Sequence, residues 1–256
     1  MTFGLLFLVV VMSAIVLGAA RWAGYLRTAP GLTRTQRQIL EKYAMFYRSL
    51  SGEARTRYEG ITAHFLDHMQ WRGAGISVVD EMKVLIAGTA AQLLHGLKDF
   101  RFAHFHTVML FRDTYRSGRS GRMHQGEVRP SDGLIIISWG DHVRGYANPT
   151  DARNVGLHEL AHALWFEHKA QAEEGSLLHP ERLQDWIDQA DAEIERIRAG
   201  NSTLFREYAG TNQVEFFAVA VEYFFEQAAQ FRDADPRLYA TLKELLGQDP
   251  AADRRG

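Results

Sequence analysis

Asn154-Val155-Gly156-Leu157-His158-Glu159-Leu160-Ala161-His162-Ala163-Leu164-Trp165 decides how the rest of the chain is read. Val155, Leu157, Leu160, Ala161, Ala163 and Leu164 make the segment apolar on most of its circumference, so the spacing predicts a core helix. His158 and His162 lie one turn apart on one face. Two imidazoles so placed both reach a single ion at the Zn–N distance of about 2.0–2.1 Å. Glu159 follows the first histidine directly and can take a proton from water held on that ion. The pattern, His-Glu-x-x-His, therefore offers two metal ligands and a general base. The bland alternative is a pair of core histidines satisfied by backbone groups. Two imidazoles and a carboxylate clustered on a buried helix are costly to satisfy that way.

A catalytic zinc takes a third protein ligand and keeps one position open. His168 stands where a longer motif, His-Glu-x-x-His-x-x-Gly-x-x-His, would put one. The glycine of that motif, needed for a turn, falls on Trp165, and no Met follows Met123 to form a Met-turn. His168 is therefore set aside as a ligand and read as a helix C-terminal histidine, where the dipole favours a cation. Glu167, Glu173, Glu174 and His179 read as solvated surface. Glu215 and Glu222 are better candidates, seven residues apart and so on one face of a predicted helix over 212–232. Each has a plainer reading. Asn212 with Glu215 three residues on resembles a capping box, and Glu222 fits an exposed helix position. Phe216, Phe217, Val219, Phe224 and Phe225 nonetheless predict a deeply packed helix, and buried carboxylates need partners.

The composition fits this reading. The chain has 256 residues, 46% apolar and 23% charged, the balance of an ordinary folded protein. Its net charge of -2 leaves no basic excess to draw it onto nucleic acid. It has no cysteine, which excludes disulfides, thiolate metal sites and a Cys nucleophile. Any metal site must use carboxylates and some of the 11 histidines.

Residues 3–20 carry no charge. As a helix they would span about 27 Å, close to the hydrocarbon thickness of a bilayer. Trp22 and Tyr25 follow as interfacial aromatics, and Arg21, Arg27, Arg34 and Arg37 all lie on the C-terminal side. The expectation is a single-pass anchor in the inner membrane with the soluble domain facing the cytoplasm. The rival is an exported chain with a signal peptide cleaved near Ala19-Ala20. Residues 1–30 then form anchor and linker, 31–250 one domain, and 251–256 a tail. Helices are expected over 33–50, 53–68, 79–97, 151–168, 180–198, 212–232 and 238–246. Strands are expected at 104–111 and 134–139, with a polar loop over 112–126. The fold class is α+β, helix-rich with a small sheet.

The run Tyr208-Ala209-Gly210-Thr211-Asn212-Gln213-Val214-Glu215-Phe216-Phe217-Ala218 resembles the third-ligand segment of the zincin group that includes the catalytic domain of anthrax lethal factor. The chain resembles more closely the bacterial Mlc titration factor A (glucose-regulated metallopeptidase) family. Asn154 to His162 match its Asn-Val-x-x-His-Glu-x-Ala-His helix. Glu215 to Phe225 match its Glu-Phe-Phe-Ala-Val-x-x-Glu-Tyr-Phe-Phe segment. The resemblance covers most of residues 35–248 and implies a zincin-like peptidase domain. It implies one zinc per chain on His158, His162 and Glu215, with Glu159 as general base. It further implies Tyr208 as hydrogen-bond donor to the developing oxyanion, and Glu222 is read as the group that orients a ligand histidine. Two features depart from the family: Trp165 replaces its usual Asp, and its well-known soluble members lack the apolar run of residues 3–20.

The expected activity is hydrolysis of a peptide or protein substrate. Leu134 to Trp139 is the candidate strand for pairing with an extended peptide, with plain core as its other reading. A second function is a binding module that captures a transcriptional regulator with little turnover, as the family resemblance allows. A third, a purely structural zinc protein, fits poorly, because such a site closes with a fourth protein ligand and needs no base. Arg112, Arg116, Arg119 and Arg122 read as a solvated loop, or as contacts to lipid headgroups or an acidic substrate.

Overall fold

Ile135, Ile136 and Ile137, all buried, form the centre of a small sheet onto which helices pack. The computed structural model describes residues 31–170, 177–202 and 204–253. The expected membrane helix over 3–20 lies outside them, as do Glu173, Glu174 and the end of the tail. Among the described residues no helix is long and apolar enough to cross a membrane.

The chain opens with α1 (Arg34–Tyr43), α2 (Met45–Ser49) and α3 (Gly52–His68). Thr33 and Gln36 form a capping box at the start of α1. Ala44, at ψ 101°, breaks what the sequence predicts as one helix over 33–50. Next come β1 (Gln70–Ala74) and α4 (Asp80–Leu94), a helix buried along nearly all its length. After β2 (Thr107–Phe111) a ribbon of β3 (Tyr115–Arg116) and β4 (Met123–His124) leads into β5 (Gly126–Arg129) and β6 (Leu134–Ser138). The remaining helices are α5 (Trp139–Ala147), α6 (Val155–Ala170), α7 (Pro180–Arg198), α8 (Gln213–Glu226), α9 (Ala228–Ala234), α10 (Pro236–Leu246) and α11 (Pro250–Asp253). The class is α+β, helix-rich with a small sheet.

The sheet order is β1-β2-β6-β5. β1, β2 and β6 are parallel, while β5 pairs antiparallel with β6, Gly126 opposite Ile137 and Arg129 opposite Leu134. A left-handed Gly133, φ +58°, makes the turn between them, and a Cβ there would lie 2.4 Å from His106 Nε2. β6 is thus an interior strand. The plain-core reading of Leu134 to Trp139 holds, and the sheet's two outer strands are β1 and β5.

Four further expectations need correction. β1 was not expected: its polar Gln70, Arg72 and Gly73 suit a sheet edge rather than a core strand. Trp139 belongs to a helix, because the Ser138 side chain caps α5 by accepting from the Asp141 N–H. The segment 112–126 contains the β3–β4 ribbon. The helix over 212–232 breaks at Gln227, φ -125° and ψ 39°, into α8 and α9.

Buried Asp141 ties α5 to the edge of the sheet. It accepts from Ser138 Oγ at 2.5 Å, Gln125 Nε2 at 2.7 Å and Thr114 Oγ1 at 3.1 Å, and pairs with Arg144. Gln125 immediately precedes β5, so this carboxylate helps fix where the edge strand begins.

His142 of α5 is 0% exposed and lies against Gly156 of α6, where a Cβ would come within 2.4 Å of its Nδ1. Burial holds its imidazole down to about 3, so it folds neutral. Unfolded, it takes up a proton near 6.5. Its contribution is therefore complete above that pH and is lost as pH falls from 6.5 toward 3. Between pH 7 and pH 5 the wild type should lose about 2 kcal/mol more than His142→Met, read from urea midpoints at the two pH values. Equal losses in both proteins would contradict this.

Candidate metal centre

α6 and α8 cross with their aromatic faces in contact: Trp165 lies 5.2 Å from Phe217, and Trp186 of α7 stacks on Phe216 at 5.6 Å. This packing sets the polar side chains of the two helices against each other. Asn154 starts α6, its Oδ1 accepting from the Leu157 N–H at 3.0 Å. Asn212 starts α8, its side chain accepting from the N–H groups of Val214 and Glu215. The cap on α8 is present, but the Glu215 carboxylate points away from it, toward α6.

Three donor atoms meet there. His158 Nε2 and His162 Nε2 are 3.1 Å apart, and Glu215 Oε2 lies 3.2 Å from each. Ligands at about 2.0–2.1 Å in a tetrahedral site stand about 3.3 Å from one another, so the triangle is the size a zinc ion requires. Among the described residues these three alone form such a group. Two neutral imidazoles and one carboxylate also suit zinc as a donor set.

The charges around the triangle are unbalanced. Burial alone would pull the His158 imidazole down, but the Glu215 and Glu222 carboxylates override it and carry it up to about 10. Burial also opposes ionisation of Glu215, yet hydrogen bonds from both histidines hold its carboxyl well below the usual range. The centre attracts positive charge. Glu159 is 5% exposed, and its Oε2 has no hydrogen-bond partner among the described residues. Burial pushes its carboxyl up to about 8.

The other expected residues fall as follows. Tyr208 is half exposed on the turn before α8, its ring 6.2 Å from that of His158. Burial and the nearby Glu215 push its hydroxyl well above its ordinary pKa. Glu222 is 2% exposed and lies behind His158, with Oε2 3.1 Å from Nδ1 and Oε1 accepting from the Asn154 N–H at 2.7 Å. It is not the exposed helix residue of the plainer reading. His168 lies outside the cluster, and burial lowers its pKa against the pull of the helix dipole. Glu167 is a correction: it is 0% exposed and accepts from the N–H groups of Ala103 and His104 and from the His104 ring. Trp165 is buried against Phe217, so an apolar contact occupies the family's usual Asp position.

Two residues, and one contact of a third, were missed by sequence reasoning. Arg206 reaches Glu222 from the turn that carries Tyr208. Asn154 donates from its Nδ2 to Glu226 as well as capping α6. Gly126 of β5 faces Glu159, and a Cβ built on it would lie 2.4 Å from both Cγ and Oε1 of that side chain. Beside it Glu127 is bridged to Arg129 at 2.8 and 3.0 Å and accepts from Tyr115 Oη at 3.4 Å.

Paired histidines on one helix, closed by a glutamate from a second helix, place the chain among proteins of metallopeptidase type. The glucose-regulated metallopeptidase family M90 matches residues 19–246, and the chain belongs to that family. An uncharacterised protein of Synechocystis is 25% identical over 228 residues, 83% of each chain. Mlc titration factor A of Cronobacter sakazakii is 30% identical over 124 residues, 46% of each chain. The protein of that name in Klebsiella pneumoniae is 28% identical over 129 residues, 48% of each. The chain thus spans about half the length of the titration factors it matches.

Proposed function

We propose that this chain is a zinc-dependent peptidase with His158, His162 and Glu215 as ligands and Glu159 as general base. The observation that carries the reading is the donor triangle with a buried, unpartnered carboxylate oxygen beside it. A bound zinc would bring the pKa of its water to about 7 and polarise the scissile carbonyl. Glu159 takes the proton as the water attacks and passes it to the leaving amine. Tyr208 Oη donates a hydrogen bond to the oxygen on which negative charge develops. Glu222 accepts from His158 Nδ1 and so turns Nε2 toward the ion. An extended peptide adds to the free edge of β5, the strand that faces Glu159, rather than to interior β6.

The names of the relatives favour a second reading, in which the fold captures a transcriptional regulator such as Mlc with little turnover. In that case Glu159→Gln would act in the cell as wild type does.

Metal content tests the centre. Full-length wild type, dialysed and measured by elemental analysis, should hold about one zinc per chain, and Glu215→Ala far less. Folded wild type without zinc would remove the enzyme reading. Zinc retained by Glu215→Ala would move the third ligand elsewhere.

A further inference from the structure

Arg206 makes contacts that the mechanism above does not use. It precedes the short turn Glu207–Gly210 that carries Tyr208. One guanidinium nitrogen, Nη2, bonds to Glu222 Oε2. The other, Nη1, donates to the Ala152 carbonyl at 2.5 Å. Ala152 is fully buried and, at φ +53°, is the one non-glycine left-handed residue among the described residues. Such a conformation persists only where its surroundings enforce it. Two residues on, the Asn154 N–H donates to Glu222 Oε1 at 2.7 Å.

These bonds close a ring. It runs from Arg206 to the Ala152 carbonyl, along the backbone to the Asn154 N–H, across the Glu222 carboxylate and back to Arg206. Each oxygen of Glu222 is held from a different side, and the His158 ring rests on one of them through Nδ1. A carboxylate with one of these bonds removed can rotate about its last torsion, and the imidazole it orients rotates with it.

We infer that Arg206 is a positioning residue for the metal centre, acting through Glu222 to fix the ring of His158. The inference rests on the metal-centre reading above. Arg206 lies 48 residues along the chain from His158 and touches none of the three donor atoms, so its effect must pass through Glu222. The planar fork of an arginine reaches its two acceptors from two separate nitrogens in fixed geometry, whereas a lysine would have to bring both acceptors to one compact ammonium.

The test is zinc affinity of the full-length protein, measured by competition with a chromogenic chelator. It uses wild type, Arg206→Gln, Glu222→Gln and the double variant, with thermal unfolding of each metal-free protein as a check on folding. Each single variant should bind zinc about ten- to a hundredfold more weakly. The double variant should be only marginally weaker than the worse single, because both changes remove the same restraint. A general structural role would instead make the two losses multiply, and that result overturns the inference. So does Arg206→Gln binding zinc as wild type does. If Arg206→Gln fails to unfold cooperatively, Arg206→Lys decides the matter. It should fold and show an intermediate loss, and wild-type affinity in it overturns the inference. Wild type that binds no zinc removes the metal centre itself, a failure distinct from wild type and Arg206 variants binding alike.

Discussion

Glu159→Gln should fold, hold zinc as wild type does and lose about a thousandfold in peptide hydrolysis. Glu159 touches none of the three donor atoms by any hydrogen bond, so removing its charge leaves the triangle in place. The amide has nearly the shape of the carboxylate, so neither the core around α6 nor the contact with Gly126 should change. What disappears is a buried carboxylate with an oxygen that no hydrogen bond occupies among the described residues. Without it, nothing takes the proton from the attacking water or returns it to the amine. The comparison is of initial rates on a panel of fluorogenic peptides, with zinc content measured on the same samples. A variant within tenfold of wild type would sink the assignment of Glu159 as base. Loss of zinc along with activity would make the result a statement about the metal instead.

Gly126→Ala should lose about a hundredfold in the same assay while keeping its zinc. The added methyl would sit 2.4 Å from Cγ and Oε1 of Glu159, well inside any real contact. The backbone of β5 is held by its pairing to β6 and by the bond from the Ser138 N–H to the Gln125 carbonyl, 2.7 Å. The Glu159 side chain is the flexible partner, so it gives way. Its carboxylate leaves the position from which it serves the water, and no metal ligand moves. The double variant with Glu159→Gln should be scarcely worse than Glu159→Gln alone, since both remove one function. An active Gly126→Ala would mean that Glu159 works from another rotamer.

The parts of the centre that were legible in the sequence are those that repeat along a helix. His158 and His162 share a face by spacing, and Glu215 and Glu222 do so by being seven apart. The choice of Glu215 as third ligand over Glu222 came from resemblance, not spacing. Arg206 was not legible because its partners lie 16 and 54 residues away in the chain, with no period linking them. Gly126 was hidden for another reason. A four-residue edge strand reading Gly-Glu-Val-Arg has no apolar alternation long enough to stand out from a loop. Glu167 misled because Glu-His-Lys at the end of a helix looks solvated. Only the return of residues 103–104 to that end buries it. The α+β class was legible from α6, α8 and the isoleucines of β6. The edge strands and the break at Gln227 depend on tertiary pairing that composition does not carry.

β5 runs against the other three strands, and this would give a peptide laid along its edge a direction. A peptide paired antiparallel to β5 would enter beside Arg129 and pass Gly126, where Glu159 waits, before leaving the sheet. The residues ahead of the cut would then lie along a full strand of backbone partners. Those behind it would meet only the short β3–β4 ribbon. Such pairing would read peptides asymmetrically, mainly by what precedes the bond. The fragment carrying the new carboxyl end would stay paired longest and leave last. The peptides used to compare Glu159→Gln with wild type, varied on either side of the bond, would read that asymmetry directly.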